Sequence, residues 1–326
     1  MTLAELSDRV SRVPSLPFVG APTAIESLPR LSTALGGATR LLVKRDDAIP
    51  FAFGGNKVRK LAFVGADARG KGADALVTAG GVQSNHARVT AAAAVRLGMR
   101  AVLVANGEPP TRPTANALLD RLLGAEIVYV PTREERAPKM IDIADRLRAD
   151  GRVPYSIPIG ASIPLGALGF VAAVVELLDQ TSPPDVIVHS TSSGGTQAGL
   201  VAACRLLGLP TRVIGISADA HATDLQADIR AIVNGVFDLL SLDGNRFAPD
   251  TPIEVDDRFV GDGYGIPTAA SREAIDLAAR CEALFLDPVY TAKAMAALIA
   301  YVRQRRLTSE QTVLFWHTGG QVALFR

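Results

Sequence analysis

Cysteine is scarce in this sequence, with Cys204 and Cys281 the only two in 326 residues. Two thiols cannot build a disulfide framework, and their separation offers no metal-ligand spacing. They read as small apolar residues in a reducing compartment. Aromatic residues make up only 5%, which argues against stacking platforms for single-stranded nucleic acid. Neither sign of charge dominates, since 34 Lys and Arg against 33 Asp and Glu leave a formal charge of +1. Nucleic acid or an anionic membrane as partner calls for a basic excess, so any bound anion should be small and held locally. The longest apolar run, 165–175, holds 11 residues and ends at Glu176, short of the roughly 20 needed to span a bilayer. The first residues, MTLAELSDRVSRVP, carry charge where a secretory signal has its apolar stretch. The expected setting is the cytoplasm.

What is present is the balance of a globular chain, 48% hydrophobic and 21% charged. At about 150 residues per domain the length suggests two domains. Short apolar runs at 41–43, 75–78, 100–105, 126–130, 185–189 and 212–216 read as strands. Helical patterns lie at 87–97, 114–123, 134–149, 168–179, 196–207 and 222–239, several closed by a glycine such as Gly98 or Gly208. Continuous rather than alternating apolar runs imply strands covered on both faces, hence an α/β fold with mainly parallel sheets flanked by helices. A stretch rich in Pro, Gly and Ser at 154–169 reads as a domain crossing or an active-site loop.

Five segments could carry chemistry. GGNKVRKL (54–61) places Lys57 beside two glycines, where a dry cleft could free the amine as a nucleophile for a carbonyl. TAGGVQSNHARV (78–89) runs from strand through turn to helix, with Ser84 or Asn85 as N-cap and His86 beside the orphan amides of the first turn. HSTSSGGTQAGL (189–200) repeats that plan. Ser193, Gly194, Gly195 and Thr196 there suit a phosphomonoester, and neither the triphosphate-binding nor the dinucleotide-binding glycine pattern is present. LDPVYTAKA (286–294) and FWHTGGQVALF (315–325) each follow an expected strand and open a turn bearing Tyr290 and Thr291, or Thr318. Ligands bind at such strand ends in parallel sheets. Taken singly, the first, second, fourth and fifth are equally at home as ordinary surface or turn sequence.

Together, in this order, GGNK, SNH, the Ser/Gly/Thr turn, GYG at 263–265, DPVY and HTGG resemble the D-cysteine desulfhydrase and 1-aminocyclopropane-1-carboxylate deaminase family. That family is one of fold-type-II, tryptophan-synthase-β-like enzymes that use pyridoxal 5′-phosphate. The resemblance runs from about residue 16 to the carboxyl end. It implies that Lys57 bonds the cofactor and that Asn85 hydrogen-bonds its ring oxygen. Ser193, Gly194, Gly195 and Thr196 would hold the phosphate. Ser84, His86, Tyr264 and Tyr290 would face the substrate, and Thr291 and Thr318 would lie near the pyridine nitrogen or the substrate. It further implies a large cofactor-binding domain formed by 1–59 and 166–326, a small domain inserted at 60–165, and a homodimer.

Thr291 and Thr318 bear on the reaction. Ring-opening deaminases that resemble this chain carry Glu and Leu there, and a carboxylate facing the pyridine nitrogen strengthens the electron sink. The threonines therefore point to β-elimination from a small β-substituted amino acid. D-cysteine is the expected substrate, giving pyruvate, ammonia and hydrogen sulfide, with Lys57, Ser84 and Tyr290 as the catalytic set. Val89, Ala292, Gln321 and Val322 depart from the desulfhydrase pattern. They leave the cyclopropane acid and L-cysteate as alternative substrates.

Overall fold

The computed structural model describes residues 1–37, 39–242, 247–248 and 251–326. Ten strands build two sheets. The larger joins β1 (Ile25–Ser27), β2 (Arg40–Lys44), β7 (Val186–Thr191), β8 (Arg212–Ser217), β9 (Glu254–Asp256) and β10 (Thr312–Trp316) in the order β1-β2-β10-β7-β8-β9. The smaller has the order β5-β4-β3-β6, from β3 (Ala75–Gly81), β4 (Arg100–Asn106), β5 (Glu126–Val130) and β6 (Pro154–Ile157). Every pairing is parallel except β1 with β2. The helices are α1 (Leu3–Ser11), α2 (Pro29–Ala34), α3 (Asn56–Gly70), α4 (Asn85–Leu97), α5 (Ala115–Leu122), α6 (Arg136–Ala149), α7 (Pro164–Gln180), α8 (Gly195–Leu206), α9 (Ala222–Leu239), α10 (Ala269–Glu282) and α11 (Thr291–Arg303). Among the described residues no helix is long and apolar enough to cross a membrane.

The α/β reading of the sequence holds, because strands such as β7 are buried at every position and need helices on both faces. The last strand, β10, enters the middle of the larger sheet between β2 and β7, aligning Trp316 with Lys44 and with His189. The carboxyl ends of β2, β10 and β7 thus open side by side.

The stretch 154–169 is not one loop. Its first residues form the edge strand β6, where a leading proline is tolerated, and α7 already begins at Pro164, the position at which a helix has no use for the proline's missing N–H. Glycines that weaken helical propensity here serve contact with α3: a Cβ on Gly169 would stand 2.4 Å from the Arg59 carbonyl oxygen. No strand precedes the turn at Asp287. That segment runs unpaired between α10 and α11.

Between α3 and α7 lies a buried ionic cluster. Arg59 donates to Asp46 at 2.7 and 2.8 Å and to Glu176 at 2.8 and 3.0 Å, Lys44 donates to Glu176 at 2.6 Å, and the Trp316 indole donates to Asp46 at 2.8 Å. It ties β2, β10 and α7 to the first turn of α3, the turn that carries Lys57.

Candidate active site

The carboxyl ends of both sheets face one cleft of about 160 Å³. Lys57, Ser84, Asn85, His86, Ser193, Gly194, Gly195, Thr196, Tyr264, Tyr290 and Thr318 line it. Thr291 does not. It is fully buried, its hydroxyl donating to Asp287 Oδ1 at 2.7 Å and accepting the Asp287 amide at 2.8 Å.

Lys57 stands in the first turn of α3, behind Gly54 and Gly55. Gly55 has φ +98°, and a Cβ there would lie 2.9 Å from the Thr318 carbonyl, so only glycine lets the two loops meet. Lys57 borders the cleft and is partly exposed, yet dehydration, with repulsion from Arg88, pushes its amine down to about 8. Its nearest hydrogen-bond partner is Asn56 Oδ1 at 3.2 Å, and Asn56 in turn donates to Thr196 Oγ1 at 3.0 Å.

The turn at 193–196 opens α8, with Gly194 in the left-handed region at φ +76°. The amides of that first turn have no carbonyl one turn back to bond. Lys60, one helical turn after Lys57, reaches the same place. It is 1% exposed and donates to the Gly160 carbonyl and Ser162 Oγ, each at 3.1 Å. Ser162 Oγ bonds Ser193 Oγ at 2.7 Å and accepts the Gly195 amide at 3.3 Å. No side chain larger than hydrogen fits at Gly195, where a Cβ would stand 2.7 Å from Ser162 Oγ and 2.9 Å from Lys60 Nζ. Burial, with Lys57 nearby, holds the Lys60 amine well below its usual range, and beside a helix start, with no carboxylate among its hydrogen-bond partners, it suits a small oxyanion whose charge would hold its proton.

On the facing wall, Ser84 caps α4 by accepting the Ala87 amide at 3.2 Å. Asn85 Oδ1 accepts from Arg88 and from Asn116, both at 2.9 Å. That fixes the amide and leaves its NH2 as the group still available to donate. Thr78 donates to the Ile157 carbonyl at 2.7 Å, so its oxygen receives the His86 Nε2 proton at 2.8 Å. Burial, with Lys57 and Lys60 nearby, holds His86 far below the usual imidazole range, and its bare Nδ1 is buried without a partner in the protein. Ser190 and Thr191 hydroxyls, on the same cleft, are likewise buried and unpartnered. The Tyr264 and Tyr290 hydroxyls bond one another, and burial together with Tyr264 raises Tyr290 well above the usual phenol range. Tyr290 therefore stays protonated, a donor.

A family model described as pyridoxal-phosphate dependent enzyme matches residues 17–319. The chain belongs to that family. A D-cysteine desulfhydrase of Klebsiella pneumoniae is 39% identical over 324 residues, covering 97% of each chain, and one of Salmonella typhimurium is 39% identical over 326 residues with the same coverage. A crystal structure of an ACC deaminase homologue superposes with a TM-score of 0.91 at 33% identity, covering 98% of this chain and 96% of the other. A threonine deaminase, at 22% identity and a TM-score of 0.68, shares the fold. The cleft of this pyridoxal-phosphate dependent enzyme fits its cofactor: it has a depressed lysine amine for the aldehyde, a cradle for the phosphate, and buried unpartnered polar atoms between them.

Lys60, Ser162, Asn106, Arg133 and Arg136 were not expected at the site. Spacing could have found Lys60, three residues after Lys57 on one helical face. Composition had singled out the loop of Ser162.

Proposed function

We propose that this enzyme removes the β-substituent of a small amino acid and releases pyruvate and ammonia, with D-cysteine as substrate and hydrogen sulfide as the third product. The reading rests above all on one arrangement: an amine near neutral range, Lys57, shares a cleft with a protonated phenol, Tyr290, and an oxyanion cradle. The names of the relatives point to the same chemistry.

When bound, pyridoxal phosphate supplies an electron sink that acidifies the substrate's α C–H. Lys57 would hold its aldehyde. Lys60, Ser193, Gly194, Gly195 and Thr196 would hold its phosphate, and Asn85 would donate to its ring oxygen. The start of α4, with Ser84 and His86, receives the substrate carboxylate. The Lys57 amine, when neutral, would take the α-proton. Tyr290 donates to the departing group while Tyr264 orients its hydroxyl. Thr318, on the wall of the same cleft, would stand near the ring. Residues 60–165 act as a small domain closing one wall of the site, and the enzyme works as a cytoplasmic homodimer.

Ring opening of 1-aminocyclopropane-1-carboxylate is the second reading, favoured by the likeness to the deaminase homologue. Pyruvate release measured over D- and L-cysteine and β-chloroalanine, with 2-oxobutyrate release from the cyclopropane acid, decides between them. The expected result is pyruvate from D-cysteine with little ring opening. Absence of pyruvate from every β-substituted amino acid overturns the proposal.

A further inference from the structure

Lys293 is buried, at 1% exposure, on α11 three residues after Tyr290. Its ammonium donates to the main-chain carbonyls of Val260 at 2.7 Å and Gly263 at 3.0 Å, and to that of Ala218 at a long 3.5 Å. Among the described residues no carboxylate forms an ion pair with it. Asp219 and Asp287 attract it only from a distance, while burial works against its charge. A cation withdrawn from water with main-chain carbonyls as its partners is costly to keep. What the arrangement gains lies in the segment to which two of those carbonyls belong.

Residues 257–268 join β9 to α10 without helix or strand. Tyr264 lies among them between Gly263 (φ +139°) and Gly265 (φ +78°), and such backbone loses much freedom when it is ordered. By bonding Val260 and Gly263, Lys293 fixes the main chain immediately before Tyr264. The far end of Tyr264 is held from the same helix start, because its hydroxyl bonds the Tyr290 hydroxyl. Tyr290 and Lys293 thus clasp Tyr264 by its side chain and by its backbone. Ala218 extends the clasp to the end of β8, next to Asp219, which pairs with Arg133 beside the Tyr264 ring.

We propose that Lys293 is a positioning residue, an internal cation that pins the 257–266 loop against the cleft and so sets the Tyr264 hydroxyl on that of Tyr290. This rests on the β-elimination reading, in which Tyr290 donates to the departing group. The SH substituent of cysteine leaves with the C–S electron pair and takes a proton from Tyr290, which regains one from water. Chloride leaves as the anion and needs none. Loss of the clasp should therefore tell more on cysteine than on β-chloroalanine.

The test uses the holoenzyme with Lys293→Met, an apolar side chain of similar length, and Lys293→Gln, a milder change that keeps two N–H donors should the first fail to fold. Pyruvate release is measured from both enantiomers of cysteine and β-chloroalanine. In the variants the ratio of kcat/KM for cysteine to that for β-chloroalanine should fall about tenfold, the order of one hydrogen bond. In a Tyr264→Phe background the same change should cost little more, since the hydroxyl it positions is gone. Hydrogen exchange read by mass spectrometry should show the amides of 257–266 exchanging faster in the variants, with α3 and α8 unchanged. Unchanged exchange in the loop overturns the proposal, as does an equal loss on both substrates or a full further loss in the Tyr264→Phe background. If the wild type yields no pyruvate from any of these substrates, the elimination reading fails alone, and the exchange rates decide whether Lys293 holds the loop.

Discussion

Asp287 and Thr291 form a closed pair: the Thr291 hydroxyl donates to Oδ1 at 2.7 Å and accepts the Asp287 amide at 2.8 Å. The same carboxylate accepts the amides of Val289, Tyr290 and Thr291 at 2.8–2.9 Å. Asp287 thus fixes the turn from which Tyr290 enters the cleft, and Thr291 acts on the site through it.

The two threonines should therefore respond differently to loss of their hydroxyls. Thr291→Val removes a buried pair of hydrogen bonds and should destabilise the fold by about 1–3 kcal/mol, read as a lower Tm. Thr318→Val, at the cleft, should instead alter the cofactor absorbance and the ratio of elimination to ring opening. An unchanged spectrum in Thr318→Val would remove Thr318 from the cofactor's surroundings.

Lys57→Ala should abolish turnover, and borohydride reduction of the wild type followed by peptide mapping should place the pyridoxyl group on Lys57, not Lys60. Only the neutral amine attacks an aldehyde. With its amine near 8, the cofactor-free chain should take up added pyridoxal phosphate about tenfold faster per pH unit below that value and level off above it. Replacing Arg88 by Met removes a repelling charge and should move the midpoint upward. Stopped-flow absorbance checks both.

Lys60→Met should loosen the cofactor while sparing its covalent bond. Measured by equilibrium dialysis in the Lys57→Ala background, where no covalent link masks the effect, the dissociation constant should rise about ten- to a hundredfold.

Glu176 links stability to acid. Burial alone would raise its value, but hydrogen bonds and attraction from Arg59 and Lys44 win and hold it at about 2, against an ordinary 4.5. The folded-state value is the lower one, so the stabilisation is complete above 4.5 and is lost as pH falls toward 2. Glu176→Gln should lower Tm at neutral pH and flatten its decline on acidification. Equal slopes in variant and wild type would show that the cluster does not govern acid stability.

Legibility of the sequence followed locality. The turns at Ser84 and at 193–196 were readable because strand, glycine, hydroxyl and helix start are contiguous, and the physics of the orphan amides acts within one turn. Arg133 and Arg136 were not, because only the alignment of β5 beside β4 and β3 brings their loop to the cleft. Thr291 stands next to Tyr290 in sequence, and the family resemblance placed both at the site. Successive helical residues point about 100° apart, so one faces the cleft and its neighbour the interior. The strand expected before Asp287 does not form, and the segment after α10 runs unpaired into the turn.

The contact of Gly55 with Thr318 and Gly319 sets an order on events during synthesis. Asn56 donates its amide to the Thr318 carbonyl at 3.0 Å, and a Cβ on Gly319 would lie 2.6 Å from the Gly55 Cα. Lys57 leaves the ribosome well before the strand and turn that complete its wall. Until then the amine is a solvated lysine, mostly charged at neutral pH. A chain truncated before β10 should therefore hold pyridoxal phosphate far more weakly than the full chain.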